Sequence, residues 1–239
     1  ANGDDVSMRR RPEREYKSDD YYVGDLQRDV IDSVVFAVQG RKVKIESTAN
    51  DSLVVVVKEP EYYVCPICGY ASEVKPKTHN NAFGFPCKGD QFAKRILSHD
   101  FKTDVAKIQF DTSKASSQNT MLSVMYAILE GMAEVLGIER TDIKGTLYKV
   151  KGRYSIVLYD AVAGGAGHVR RIVTNDGQIF QKVLEAAYNR VKQCDCATSC
   201  YNCLRNYYNQ RIHDRLDRNL AANFIEEWLG RVQPFEEMN

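Results

Sequence analysis

Alternating apolar and polar positions predict β-strands in several stretches of the chain. Period-two alternation indicates a strand with one buried face, and a glycine between two such stretches indicates a hairpin turn. Gly40 and Gly152 stand at turns of this kind. The predicted strands are a hairpin over residues 29–46, single strands over 53–57 and 105–110, and a second hairpin formed by 147–150 and 154–159.

Apolar residues at three- and four-residue steps predict helices, most clearly over residues 118–137. Ser116 or Ser117 can cap the start of this helix, and Gly137 can end it. Its apolar positions are Leu122, Met125, Leu129, Met132, Ala133 and Leu136. Other helices are expected over residues 178–193, as one or two segments over 204–229, and as a short segment over 90–98.

A group of four cysteines is the strongest chemical signal in the chain. Cys194, Cys196, Cys200 and Cys203 lie within ten residues. Thiols this close can face one point, and a tetrahedral zinc ion takes four soft ligands. Two disulfides would strain such short loops, and four buried free cysteines explain the clustering poorly. The spacing therefore predicts a zinc site.

A second cysteine group predicts a second zinc site over residues 65–87. Its Cys-x-x-Cys-Gly turn is typical of a zinc knuckle, because the glycine tolerates the backbone bend. Only one further cysteine remains, and a closed structural site needs four ligands. The predicted ligands are Cys65, Cys68, Cys87 and, as the fourth, His79, with His99 and Asp90 as alternatives.

These elements together predict an α+β fold with a mixed sheet, packed helices and two zinc-binding modules. A chain of 239 residues is long enough to bury a substantial core. We expect a mobile, charged segment over residues 1–20 and a β-rich region over 21–111 that holds the first zinc site. An α/β region over 112–239 would hold the four-cysteine cluster.

The overall charge of the chain is nearly balanced, but two stretches are locally basic. Lys and Arg number 33 against 32 Asp and Glu, so no global basic field indicates nucleic acid. Residues 75–107 nevertheless hold seven Lys or Arg against three Asp, and residues 140–153 hold five against one. These stretches could meet phosphate or simply form a solvated surface. Paired cysteines, no apolar run of about 18 residues and no signal segment predict a cytoplasmic protein without a membrane span.

A glycine-rich turn follows the last predicted strand, with Gly164, Gly165 and Gly167 after Asp160. Glycines here allow either tight packing of the turn or the approach of an anion to a following helix. The turn has neither the lysine of a Walker loop nor the spacing of a dinucleotide fingerprint. ATP hydrolysis by this chain is therefore not expected.

The C-terminal motif resembles the MrfA zinc-binding domain, or MZB domain. The matching run is Cys-x-Cys-x3-Cys-x-x-Cys-Leu-Arg-Asn-Tyr-Tyr-Asn-Gln over residues 194–210, followed by Leu-Asp-Arg at 216–218. Residues 158–167 resemble the family's strand and glycine turn, and residues 96–105 its Leu-Gly-His-x-Phe-x-Thr-Asp-Val segment, with Ser98 in place of the glycine. The domain ends a group of superfamily-two DNA helicases and occurs in DrmB of the DISARM antiphage system.

The resemblance covers residues 65–229 and implies a non-catalytic accessory domain or subunit of a DNA helicase system, serving DNA repair or antiphage defence. Its implied partners are DNA, single-stranded DNA included, and a helicase motor on the same chain or on another. Basic side chains in and after the two motifs are candidates for phosphate contact. The candidates are Arg170, Arg171, Arg205, Arg211 and Arg215.

A metal-dependent nuclease is the alternative function. Divalent-metal cleavage of a phosphodiester needs carboxylates gathered at one point. The best set in this chain is Asp104, Glu130 and Asp160 together with His99. Their scatter along the sequence weakens this hypothesis, because no Asp…Glu-x-Lys signature links them.

Overall fold

An antiparallel sheet forms one layer of the molecule. The computed structural model describes residues 30–38, 40–230 and 233–234, and the predicted mobile segment over 1–20 lies outside these residues. The strand order in the sheet is β7-β8-β6-β2-β1-β9, with β3 paired to β2, while β4 and β5 form a separate ribbon. The strands are β1 (Val30–Val38), β2 (Arg41–Val64), β3 (Ala71–Ser72), β4 (His79–Asn80), β5 (Pro86–Cys87), β6 (Ala93–Phe110), β7 (Ile143–Val150), β8 (Arg153–Asp160) and β9 (Gln233–Pro234).

Two hairpins join neighbouring antiparallel strands, β1 with β2 and β7 with β8. The first turns at Gly40, whose φ is 77°, and the second at Lys151 and Gly152, whose φ values are 49° and 83°. Val150 pairs with Arg153, so the second hairpin has a two-residue turn with both φ values positive, as a type I′ turn requires. The α+β class is confirmed. Every strand pairing in the described residues is antiparallel, however, whereas a mixed sheet was expected.

The strand pairing of β2 with β6 overrides one helix prediction. The predicted strands over 53–57 and 105–110 lie within β2 and β6. The predicted helix over residues 90–98 is wrong, because β6 begins at Ala93 and pairs there with Val64. Strand pairing with a distant segment satisfies backbone groups that the local pattern assigned to a helix.

Three helices form the second layer. The helix α1 (Gln118–Leu136) is capped by the Ser117 side chain and ends at Gly137, whose φ of 64° is left-handed. The predicted helix over 178–193 is α2 (Gln178–Lys192). The segment 204–229 forms two short helical pieces, a 3-10 turn at Gln210–Arg215 and α3 (Arg218–Glu226). The sheet of this two-layer fold takes strands from both predicted regions, 21–111 and 112–239.

The core lies between the helices and the central strands. The helix α1 is buried over most of its surface and packs on α2 and α3 as well as on β7 and β8. At Gly131 an added Cβ would lie 2.5 Å from the carbonyl oxygen of Val183, so a glycine is needed where α1 approaches α2. The largest fully buried side chains are Trp228, Tyr126, Phe36, Phe180 and Phe224.

Candidate metal centres

The four cysteines near the C-terminus come together at one point. Their ligand atoms all lie within 4.8 Å of one another. Cys194 Sγ is 3.5 Å from the sulfurs of both Cys196 and Cys200, and Cys203 Sγ is 3.7 Å from Cys196 and 3.9 Å from Cys200. Zinc–sulfur bonds of about 2.3 Å in a tetrahedron place sulfurs about 3.8 Å apart. The spacing of the sulfurs therefore fits a zinc ion.

A tight turn at Cys200 brings Cys200 and Cys203 together, with their sulfurs 3.9 Å apart. The Cys200 carbonyl accepts hydrogen bonds from the N–H groups of Cys203, Leu204 and Arg205, and the Cys200 N–H donates to Cys203 Sγ at 3.2 Å. Burial raises the pKa of Cys200, but a backbone hydrogen bond from Asn202 and the neighbouring thiols outweigh it and lower that pKa to about 7. Burial raises the pKa of Cys203. A metal cation would stabilise both thiolates.

The Leu-Asp-Arg segment fastens this cluster to the helices. Arg218 Nε donates to the carbonyl oxygen of Cys196 at 2.5 Å, and its Nη1 donates to that of Val191, at the end of α2, at 3.2 Å. Asp217 caps α3 by accepting from the Asn219 N–H at 2.7 Å. Sequence reasoning used this segment only as part of a family motif. Its mechanical role depends on carbonyl groups more than twenty residues away and has no local signal.

The residues of the first cysteine group also come together. Cys65, Cys68, Cys87 and His79 place one ligand atom each within 4.8 Å of the others. Cys65 Sγ is 3.9 Å from Cys87 Sγ, and His79 Nε2 is 3.2 Å from Cys68 Sγ. Asp90 is not part of this group, and the His99 side chain lies outside the described residues. Three thiols and one imidazole match a closed structural zinc site.

Local structure orients the His79 ring. The short ribbon pairs His79 with Cys87, which places two of the four candidate ligands opposite each other. The ring centroid of His79 lies 5.0 Å from that of Tyr70 and 5.1 Å from that of Phe92, so the imidazole is buried between two aromatic rings. The Nε2 atom of His79 faces the thiol of Cys68, whereas its Nδ1 atom is buried and has no hydrogen-bond partner. Nε2 is therefore the candidate ligand atom.

Gly89 is a residue of this site that sequence reasoning missed. An added Cβ at Gly89 would lie 2.5 Å from Cys65 Sγ and 3.6 Å from Cys87 Sγ, and its own N–H donates to Cys87 Sγ at 3.4 Å. Burial raises the pKa of Cys65, but backbone hydrogen bonds from Cys68 and Ile67 outweigh it, and the pKa falls to about 6. A glycine two residues after a ligand cysteine was the available signal.

The predicted phosphate-binding arginines have partners within the chain. Arg171 Nη1 donates to the Leu136 carbonyl, Arg205 Nε to Ser199 Oγ, and Arg215 Nε to Asn119 Oδ1. Arg170 lies 3.8 Å from the carboxylate of Asp32, and Arg211 is exposed on the 3-10 turn. The contacts of Arg171 and Arg215 attach their segments to the two ends of α1. Phosphate binding by the five arginines remains a prediction.

The glycine turn binds carboxylates of the chain itself. The buried Asp160 side chain accepts hydrogen bonds from the N–H groups of Ala166, His168 and Val169 at 2.6, 3.1 and 3.0 Å. An added Cβ at Gly165 would lie 2.4 Å from Asp104 Cγ. The anion at these amides is thus Asp160, and the glycine allows tight packing.

The carboxylates of the nuclease hypothesis are dispersed among structural contacts. Glu130 pairs with Arg140 and Arg190, each at 3.1 Å, while Asp104 and Asp160 hold the glycine turn. Across the described residues, the two cysteine clusters are the only groups of three or more such side chains placed to share a metal. Nothing here favours the nuclease.

None of the helices in the described ranges is long and apolar enough to cross a membrane.

Comparisons with known proteins point to one domain family. Residues 124–204 match the family model of the MrfA Zn-binding domain. The Druantia protein DruE of Escherichia coli strain UMEA 4076-1 is 28% identical over 168 residues, which is 62% of this chain and 9% of that protein. A crystal structure of the DUF1998 helicase MrfA bound to DNA matches with a TM-score of 0.51 at 12% identity, over 84% of this chain and 24% of that chain.

This chain spans a minor part of both relatives, so the comparisons bear on the fold and on the domain it contains. The likeness to MrfA, at 12% identity, shows a shared fold. The residues that match the family model include all four cysteines of the C-terminal cluster. Residues 124–204 are therefore similar to the MrfA Zn-binding domain, as the sequence motif had indicated.

Proposed function

We propose that this chain is a non-catalytic zinc-binding accessory module of a DNA helicase system, which contacts DNA and docks a superfamily-two helicase motor. The motor would lie on the same chain or on a partner, and the system would serve DNA repair or antiphage defence. The observation that carries the proposal is the match of residues 124–204 to the MrfA Zn-binding domain. The shared fold with a helicase crystallised on DNA supports it.

Zinc is proposed at two sites. Cys194, Cys196, Cys200 and Cys203 would hold one ion, and Cys65, Cys68, Cys87 and His79 would hold the other. Zinc has no redox chemistry, and a site closed by four protein ligands leaves no position for substrate. Both ions would therefore have a structural role and no catalytic one. Elemental analysis of the purified protein should give two zinc ions per chain, and one or none in fully folded protein would contradict this part of the proposal.

DNA binding is tested through its salt dependence. Each phosphate neutralised on a single strand contributes about 0.7 to the slope of log affinity against log salt. Replacing Arg205 and Arg211 together by glutamine should lower this slope if their side chains meet phosphate. The matched control replaces Lys182 and Lys192, two exposed cations on α2, and removes the same charge.

The outcomes separate the two parts of the proposed role. Equal slopes for the arginine variant and the control would assign this segment to motor docking. If the intact protein binds neither single- nor double-stranded DNA at low salt, DNA contact is removed from the proposal and the zinc assignment stands.

A further inference from the structure

Two phenylalanine rings project into solvent at the tip of the ribbon formed by β4 and β5. Phe83 is 84% exposed and Phe85 is 68% exposed. Large aromatic side chains are usually buried, so two exposed rings two residues apart are a candidate binding surface. The ribbon lies within the first cysteine module, residues 65–95, and outside the residues that match the zinc-binding family.

The tip that carries these rings is held rigid by Asn81. The Asn81 Oδ1 accepts hydrogen bonds from the N–H groups of Phe83 and Phe85, both at 3.0 Å. The Asn81 N–H donates to the Phe85 carbonyl at 2.8 Å, and the Gly84 N–H donates to the Asn81 carbonyl at 2.9 Å. Directly behind the tip, the ribbon pairs two candidate metal ligands, His79 and Cys87. The rings are thus presented by a preorganised turn, which lowers the entropic cost of binding.

The surroundings of the tip are basic. Five basic residues against two acidic ones lie between residues 65 and 95, and all five basic side chains are exposed. Lys77 stands two residues before β4, and Lys88 directly follows β5, so both flank the base of the ribbon. The basic residues are Lys75, Lys77, Lys88, Lys94 and Arg95, and the acidic ones are Glu73 and Asp90.

We propose that this tip is a binding site for single-stranded nucleic acid, with Phe83 and Phe85 stacking on bases and Lys77 and Lys88 meeting phosphates. Exposed aromatic rings beside positive charge are the combination that single strands require, because every base has a face to stack and every nucleotide carries a charge. A purely apolar partner would gain nothing from the excess of lysines. The inference extends the proposed DNA contact to a second surface, distinct from the C-terminal arginines.

A labelled oligothymidylate strand at low salt provides the test. Phe83→Ala and Phe85→Ala should each weaken binding at least about fivefold without changing the slope of log affinity against log salt. Replacing Lys77 and Lys88 by glutamine should instead lower that slope by about 0.7 for each phosphate lost. The matched control is Val74→Ala, which removes a 75% exposed apolar side chain from the same module and should leave affinity unchanged.

A second readout makes the contact visible. Trp228, the single tryptophan of the chain, is fully buried. A Phe85→Trp variant therefore adds one exposed indole, whose fluorescence should be quenched by the oligonucleotide while the Trp228 signal reports an intact core. Unchanged zinc content would verify that each variant keeps the module folded.

The outcomes separate this inference from the proposed function. If the wild-type chain binds the strand but the phenylalanine variants bind equally well, the inference is overturned and the general DNA contact survives. Equal losses in Val74→Ala and the phenylalanine variants would identify a nonspecific apolar patch and also overturn it. If the wild-type chain binds no single strand, this inference is overturned, while the general DNA contact survives if the chain binds double-stranded DNA.

Discussion

The two cysteine clusters share a ligand chemistry but differ in their surroundings. At the C-terminal cluster, Cys203 is 1% exposed and belongs to the main hydrophobic core, against which the other three cysteines pack. The first cluster lies outside that core, beside β3 and the short ribbon. Its module exposes the large apolar side chains Ile67, Val74, Phe83 and Phe85.

This difference separates two uses of a structural metal. A module of some thirty residues cannot bury enough apolar surface to fold by itself, and a metal can replace the missing core. With a metal in place of a core, the module of the first cluster can keep its large apolar side chains exposed on the surface. The C-terminal cluster instead joins the ends of α2 and α3 through Arg218, so its loss should disturb the whole helical layer.

The largest effect is expected from Cys200→Ala. Structural zinc contributes on the order of 10 kcal/mol to folding, which is comparable to the whole stability of a domain. The variant should be insoluble or lack a cooperative thermal transition, as circular dichroism would show. A cooperative melt within a few degrees of the wild type would contradict a core role for this cluster.

A smaller and local effect is expected from His79→Ala. The variant should lose one zinc ion of two by elemental analysis, and limited proteolysis should cut within residues 65–90. The melting transition of the helical layer should persist, because this cluster lies outside the core. His99→Ala is the control and should keep both ions. Loss of zinc in that control, with none in His79→Ala, would reassign the fourth ligand.

Arg218→Ala should destabilise the protein by about 1–3 kcal/mol, since it leaves the Cys196 and Val191 carbonyls without their charged donor. Chemical denaturation would measure this loss. Arg153→Ala is the comparison, because Arg153 and its partner Asp111 are both about half exposed or more, and such pairs contribute at most about 1 kcal/mol. Equal losses in the two variants would argue against a fastening role for Arg218.

The smallest effect is expected at Glu227, which pairs with Lys114 and Arg41 on the surface. A hydrogen bond from Lys114, then one from Arg41, lower the pKa of Glu227 against a partial rise from burial. A lowered folded-state pKa stabilises the protein above the ordinary glutamate pKa of about 4.3, and this contribution is lost as pH falls through the folded value. Glu227→Gln should thus cost at most about 1 kcal/mol at pH 7.

The same variant should match the wild type at low pH, below the folded-state pKa of Glu227. Denaturant unfolding at the two pH values tests this expectation. A difference that persists unchanged in acid would show that packing, and not charge, explains the effect of the substitution.

Local patterns of the sequence were sufficient for several elements. The period of three and four residues, with Ser117 and Gly137 at the ends, predicted α1 closely, because a helix satisfies its backbone within its own segment. Gly40 and Gly152 predicted the two hairpin turns for a similar reason, since a tight turn depends on the φ of one or two residues.

Other features depended on distant partners and escaped the pattern. Residues 93–98 form a strand only because Val56 to Val64 of β2 lies beside them, and no local periodicity reports that pairing. The arginines proposed for phosphate mostly hold other parts of the chain, and which side a guanidinium faces depends on the packing of α1.

By itself, the sequence predicted two groups of zinc-type ligands, because cysteine type and spacing are local and leave few other uses. It also predicted the α+β class and the resemblance of the C-terminal part to the MrfA Zn-binding domain. Only the tertiary structure decided that one cluster lies in the core while the other supports exposed phenylalanines. It also decided that Asp160 occupies the glycine turn. Burial and hydrogen-bond partners are properties of contacts between residues far apart in the chain, and these contacts exist only once the chain has folded.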